Sequence, residues 1–201
     1  GVEITLRTDA DMDQLVAVAR RVRASDQYPI FEPPDGLGWF LSTPEPIAAW
    51  IARIDGVVVG HVALQPSATR GAMRVVAGYD PDARAAYVSR LLVDPDRRGL
   101  RIGARLLDHA RRWAIDAGYR PFLEALDVPP GAPALALYRA EGWTEIGRTR
   151  FDLLDDGTEE VVFAAPGWSP PSTGEVPGRI DLGGIDLGGI DLSDPDTFAA
   201  G

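Results

Sequence analysis

Residues 88–107, VSRLLVDPDRRGLRIGARLL, limit the fold more than any other stretch. Val88, Leu91, Leu92 and Val93 make a short apolar run closed by the turn signal Asp94-Pro95-Asp96, which reads as a buried strand. A basic, glycine-bearing stretch, Arg97-Arg98-Gly99-Leu100-Arg101-Ile102-Gly103, then opens an amphipathic helix. A strand feeding a helix through such a turn aims several backbone N–H groups at one point, where the helix dipole adds partial positive charge. That point suits an anion, above all a phosphate or pyrophosphate. The stretch lacks the Gly-Lys-Ser/Thr of a P-loop and the three-glycine spacing of a Rossmann turn.

The remaining elements follow from periodicity. Val2, Ile4 and Leu6 alternate as an opening strand over residues 2–7. Met12, Leu15, Val16, Ala19 and Val22 share one face of a helix over residues 9–23, with Asp9 and Asp11 at its start. Residues 24–47 are rich in Pro, Gly and aromatics and have room for a short second helix. Asp55-Gly56 between two apolar runs predicts a tight hairpin over residues 49–64. A long connection, residues 65–86, carries a helical piece near residues 72–78. The strand at 87–93 is followed by a helix at about 100–117, whose buried face is read as Ile102, Leu106, Ala110, Trp113 and Ala117, with Gly118 as its cap. A strand at 121–128, a helix at 132–141 stopped by Gly142, and a final hairpin of residues 143–153 and 158–164 complete a mixed α/β order.

Composition narrows the chemistry. The chain of 201 residues has no cysteine and two histidines, His61 and His109, which excludes thiolate chemistry and argues against a zinc site. A net charge of −10 argues against non-specific nucleic-acid binding and suits a cationic substrate. No apolar run approaches the roughly 20 residues of a membrane span, and no secretory leader pattern is present, so a cytoplasmic location is expected. From residue 167 the chain turns to Pro, Ser and Gly, then repeats Ile-Asp-Leu at 180, 185 and 190. This acidic tail, residues 167–201, is expected to be flexible, with a linear partner motif as the functional alternative.

A second motif lies in Ala134-Leu135-Ala136-Leu137-Tyr138-Arg139-Ala140-Glu141-Gly142-Trp143. Together with residues 88–107 it resembles the GNAT superfamily of acetyl-CoA-dependent N-acetyltransferases. In that family a strand ending in hydrophobic-x-Val leads to Arg/Gln-x-x-Gly-x-Gly/Ala and a helix, and an Asn-x-x-Ala-x-x-Leu-Tyr-x-x-x-Gly-Phe pattern follows. Arg98 and Gly103 match the first pattern; Ala134, Leu137, Tyr138, Gly142 and Trp143 match the second. Two positions depart: Arg101 stands where the family has its first glycine, and Gly131 where it has Asn. An Arg in ordinary helical φ would still donate its N–H, though it allows less close an approach than glycine. Leu126-Asp127-Val128 resembles the Leu-Glu-Val strand end, with a loop one residue shorter.

The resemblance covers about residues 1–165 and implies a GNAT domain over residues 1–166. The implied fold is a twisted, mostly antiparallel sheet, flanked by helices and splayed between its fourth and fifth strands. It implies acetyl-CoA as co-substrate, no metal, and direct attack of an amine on the thioester. The pyrophosphate is expected on the amides of Gly99, Leu100, Arg101, Ile102, Gly103 and Ala104, with Arg97, Arg98 and Arg101 either contacting phosphate or simply solvated. The pantetheine arm is expected along Leu91, Leu92 and Val93, like an added strand. Tyr138 is implied as the group that protonates the leaving thiolate, against the plainer reading of a core tyrosine. For the base, Asp127, Glu124, His61 and water stay open. Trp39, Phe40 and Trp50 are read as core before acceptor pocket, and His61 as a strand residue satisfied by a neighbour. The acceptor is an amine on a small molecule or peptide; a homodimer is possible. The competing reading is a non-catalytic CoA-binding module acting through the acidic tail.

Overall fold

The computed structural model describes residues 1–171; the Ile-Asp-Leu repeats and the rest of the expected tail, residues 172–201, lie outside the described residues. The first strand, β1 (Val2–Leu6), runs through a short 3-10 turn into helix α1 (Met12–Asp26). Asp11 ends that turn, bonding the Thr8 N–H at 2.7 Å and pairing with Arg53 on β2. Helix α2 (Gly36–Ser42) occupies the Pro/Gly-rich stretch. Strands β2 (Ala48–Ile54) and β3 (Val57–Gln65) form the expected Asp-Gly hairpin, with Asp55 and Gly56 both at positive φ, as a two-residue type I′ turn demands. Helix α3 (Arg70–Tyr79), strand β4 (Ala85–Val93), helix α4 (Ile102–Asp116), strand β5 (Arg120–Leu126), helix α5 (Ala132–Ala140), and strands β6 (Thr144–Arg150) and β7 (Glu159–Ala164) follow.

The seven strands form one sheet in the order β1-β2-β3-β4-β5-β7-β6. Every pairing is antiparallel except β4 with β5. The closing hairpin places β7, not β6, against β5. That parallel ladder holds only for Ala85↔Arg120, Ala86↔Pro121 and Tyr87↔Phe122, and beyond it the two strands part. The splay between the fourth and fifth strands is therefore present.

Alternation along the strands divides the core into two faces. Trp50, Val59, Val62, Ala86, Val88, Leu123, Val161 and Phe163 turn toward α4 and α5. The opposite face meets α1 and α2 through Ile51, Val58 and Leu92, and α3 through Tyr87, Phe122, Val162 and Ala164. Helix α4 buries Ile102, Ala104, Leu106, Leu107, Ala110 and Ala114. The expected face was rotated at its C-terminal end: Trp113 is 37% exposed and lies edge-on to Trp50, and Ala117 is the exposed cap residue. Packing continues to Trp168, whose Nε1 donates to buried Asp80 at 2.9 Å while Tyr79 donates to the Trp168 carbonyl at 2.9 Å. No helix among the described residues is long and apolar enough to cross a membrane.

Two glycines let α3 lie directly on β6. A Cβ on Gly71 would stand 2.4 Å from the Thr149 hydroxyl, and one on Gly147 would stand 2.6 Å from Val75. Gly71→Ala should lower stability by roughly 1–3 kcal/mol through overpacking. Urea denaturation checks this, and adding Thr149→Ala should recover most of the loss.

Candidate active site

The end of β4 is tied down before the turn begins. Asp94 is buried, accepts the Asp96 N–H at 3.1 Å, and receives Arg21 of α1 through two hydrogen bonds of 2.7 and 3.2 Å. The Arg21 hydrogen bond outweighs burial and holds the Asp94 carboxyl below its ordinary value. Beyond it Gly99 adopts φ +94°, which fits glycine. Arg101 caps α4 at φ +56°, ψ +29°, correcting the expectation of ordinary helical φ. The backbone keeps the left-handed bend that the family's glycine would adopt freely, at a cost of roughly 1–2 kcal/mol for a residue with a Cβ.

No side chain caps α4, and the first of its amides to find an acceptor within the described chain is that of Arg105, on the Arg101 carbonyl at 3.0 Å. The amides of Ile102, Gly103 and Ala104 therefore point outward at the positive end of a 15-residue helix. A Cβ on Gly103 would meet Val93 at 3.5 Å and Leu137 at 3.7 Å, so a methyl fits there. The guanidinium of Arg101 donates to Glu141 at 2.9 Å and that of Arg98 pairs with Asp26; both arginines are attached to neighbouring helices. Gly131 also has a local reason. Any Cβ there would sit 2.1 Å from the Leu126 carbonyl oxygen, so the shortened loop has no space for Asn.

The strand bordering the cradle is kinked. Arg90 has φ +53°, and the β3–β4 register slips between His61↔Leu92 and Ala63↔Ser89, so two residues of β4 face one of β3. His61 fixes this bulge: Nδ1 donates to the Arg90 carbonyl at 2.8 Å, and Nε2 accepts from Arg7 at 3.1 Å. Burial lowers the imidazole pKa to about 3. Fully buried, neutral and bonded at both nitrogens, His61 is occupied as a structural clamp. The Arg90 side chain reaches away from the sheet to the carbonyls of Phe40 and Thr43 at 3.2 and 3.1 Å and stacks on the Phe40 ring. Past the bulge Asp94 donates its N–H to Val59 on β3 at 2.8 Å. By alternation Val93 turns its backbone groups the other way, into the gap that β5 has left.

Two candidate groups lie on opposite faces of the sheet. From α5, Tyr138 lies edge-on to Phe163 with ring centroids 5.8 Å apart. Its side chain is over nine-tenths buried, and its hydroxyl has no hydrogen-bond partner among the described residues. Burial, followed by nearby Tyr28 and Glu124, raises its pKa, so the hydroxyl keeps its proton at neutral pH. From the α3 face comes Glu124, two residues past the last β4–β5 pair, with Oε1 accepting from the Tyr87 hydroxyl at 2.6 Å. Beside it Glu160 on β7 is fully buried and accepts from the Thr69 hydroxyl. Burial above all, then the neighbouring Glu124 carboxyl, raises the Glu160 pKa to about 8. The second oxygen of each carboxyl, Glu124 Oε2 and Glu160 Oε2, is buried without a hydrogen-bond partner among the described residues.

Of the other base candidates, Asp127 is half exposed and accepts a hydrogen bond from Arg148 at 2.6 Å. Trp50 is core, Trp39 is on the surface, and Phe40 supports Arg90 and Tyr28. Glu160 escaped the sequence reading. Its signal was its phase: it shares a face of the strand with Val162 and Ala164, which pack toward α3.

With the geometry in view, comparison identifies the class. The model of the acetyltransferase (GNAT) family matches residues 12–143, and the chain belongs to that family of acetyl-transferring enzymes. Among solved structures it is similar to Arabidopsis thaliana NAA60 in complex with acetyl-CoA, at 17% identity and TM-score 0.60, covering 82% of this chain and 98% of that one. It is similar to the ribosomal-protein-S18-alanine N-acetyltransferase of Escherichia coli, at 18% identity and TM-score 0.58, covering 83% and 94%. An N-acetyltransferase from Staphylococcus aureus Mu50 aligns at 16% identity and TM-score 0.56, covering 83% and 98%. These likenesses carry the fold. A search of curated proteins finds no match.

The buried acid pair has a consequence for stability. The folded state holds the Glu160 proton up to about pH 8, whereas an unfolded chain releases it near 4.5. The resulting stabilisation is fully present below 4.5 and is lost as pH rises through about 8. The thermal midpoint should therefore fall across this window, and Glu160→Gln should flatten the profile when melting is followed by circular dichroism.

Proposed function

We propose that this protein is an N-acetyltransferase that moves the acetyl group of acetyl-CoA to a primary amine of a small molecule or peptide by direct attack. The observation that carries the reading is the continuity of two features: outward amides at the α4 N-terminus and the unpaired edge of β4 beside them. The amides of residues 99–104, with the helix dipole, suit a pyrophosphate. The gap-facing edge of β4 along Leu91, Leu92 and Val93, with the Val93 backbone groups turned into it, suits a chain of amides such as pantetheine, which would satisfy backbone groups otherwise unpaired. The donor set thus fits acetyl-CoA, which when bound supplies the activated thioester.

The chain's own residues then have distinct tasks. The cradle and strand edge hold the thioester next to the acceptor, the contribution that removes most of the barrier in such reactions. A backbone N–H from the gap-facing side of β4 is the donor available to the carbonyl oxygen as charge develops on it. Tyr138, whose hydroxyl keeps its proton, is the group we propose to protonate the departing sulfur. The neighbour from Escherichia coli acts on an alanine of a ribosomal protein, so a peptide acceptor is within the fold's range. A purely regulatory CoA-binding role leaves the unpartnered Tyr138 hydroxyl without a use.

Calorimetric titration with acetyl-CoA, then CoA release across an amine panel, tests the proposal; binding without release on any amine would favour the regulatory role. Tyr138→Phe should lower kcat by about 100-fold while changing acetyl-CoA affinity little. Equal losses in both would reduce Tyr138 to a binding contact. Gly103→Glu should abolish acetyl-CoA binding in the same titration by setting bulk and negative charge before the outward amides.

A further inference from the structure

His61 is held on both sides by groups that leave its proton one place to sit. A carbonyl can only accept and a guanidinium can only donate, so the ring between the Arg90 carbonyl at 2.8 Å and Arg7 at 3.1 Å carries its proton on Nδ1. Among the described residues it is the one side chain that hydrogen-bonds a backbone group of β4. The residue it holds is the one at which β4 leaves regular strand geometry, at φ +53°.

That bulge decides which way every later residue of β4 faces. From Ala63↔Ser89 to His61↔Leu92, β3 advances two residues and β4 three. Backbone groups alternate in direction along a strand, so one extra residue exchanges the set that faces β3 for the set that faces away. With the bulge in place, the Asp94 N–H meets the Val59 carbonyl at 2.8 Å, and the Val93 N–H turns to the side that β5 has left after Tyr87↔Phe122. In a regular ladder Val93 would take the β3 side, and Leu92 and Asp94 the open one. Gly60, next to His61, admits this path: a Cβ there would stand 3.0 Å from the Leu92 carbonyl oxygen.

The clamp is also anchored to α2. Arg7 donates to the Leu41 carbonyl at 2.8 Å, and Arg90 donates to those of Phe40 and Thr43 at 3.2 and 3.1 Å. These carbonyls lie at the C-terminal end of α2, where a helix has no partners of its own to offer. The bulge is thus held from β3 and from α2 together.

Building on the acetyl-transfer reading, we infer that His61 is a positioning residue for the reaction: by holding the Arg90 carbonyl it sets the phase of β4, so that the Val93 amide, and not that of Leu92 or Asp94, faces the thioester carbonyl. His61 touches neither substrate; it acts through the backbone of β4.

The test follows amide hydrogen exchange of the full chain in wild type and two reciprocal variants. Asn carries its amide on Cγ, where His has Nδ1, so His61→Asn keeps a donor for Arg90 and loses the acceptor for Arg7. His61→Gln keeps an acceptor at the ε position and has no donor at δ. In wild type and His61→Asn the Asp94 amide should be protected and the Val93 amide should exchange freely. In His61→Gln the protection of Asp94 should fall at least about tenfold. With acetyl-CoA carrying 13C at its carbonyl, the infrared carbonyl band should lie below that of free acetyl-CoA on wild type and His61→Asn. It should return toward the free position on His61→Gln, while calorimetric affinity for acetyl-CoA stays within about threefold. A purely structural histidine would not produce this order of Asn over Gln in the carbonyl band. Equal exchange and equal bands in the two variants overturn the inference. A wild-type band at the free position overturns it whether or not the variants fold. A wild type that does not bind acetyl-CoA overturns the acetyl-transfer reading instead, and the exchange pattern of β4 still decides whether His61 sets the phase.

Discussion

The parallel ladder between β4 and β5 lasts three residue pairs and then stops, which leaves the rest of β4 without a strand on that side. A continued ladder would consume the gap-facing backbone groups of β4. The bulge at Arg90 helps steer β4 away, because two residues of β4 there span one of β3 and the strand bends. Such a bend at a non-glycine residue persists only when its surroundings overdetermine it. Here His61 holds the carbonyl of Arg90 and Phe40 and Thr43 hold its guanidinium.

The same economy governs the anion cradle. Arg101 accepts left-handed backbone geometry so that α4 can begin where Asp94, fixed by Arg21, releases the chain. Both departures from the family motif are thereby resolved on structural grounds. Arg101 reproduces the bend of the missing glycine, and Gly131 is imposed by the Leu126 carbonyl in a loop one residue shorter.

Much of this was visible in the chain order. The hairpin at Asp55-Gly56, the apolar run ending in Asp94-Pro95, and the Leu137-Tyr138 pair each carry a local signal strong enough to fix an element or a motif. The buried face of α4 was less legible at its end, because Trp113 satisfies the helical period yet is half carried on the surface against Trp50. Glu160 was missed because an acid in a β-strand is ordinarily a solvent-facing residue, and only its phase with Val162 argues otherwise.

Sequence alone determined the kinds and order of elements, the helix that opens without a cap, and the tyrosine that follows it, since these rest on periodicity and short-range turn chemistry. Tertiary structure decided which chemistry-bearing groups meet. Glu124 and Glu160 lie 36 residues apart by number and Tyr138 sits on the opposite face of the sheet. The two glutamates come to neighbouring strands because β7 inserts beside β5. The charge state of each group was likewise a tertiary outcome, because burial and neighbours, not residue type, make His61 neutral and leave Glu160 protonated.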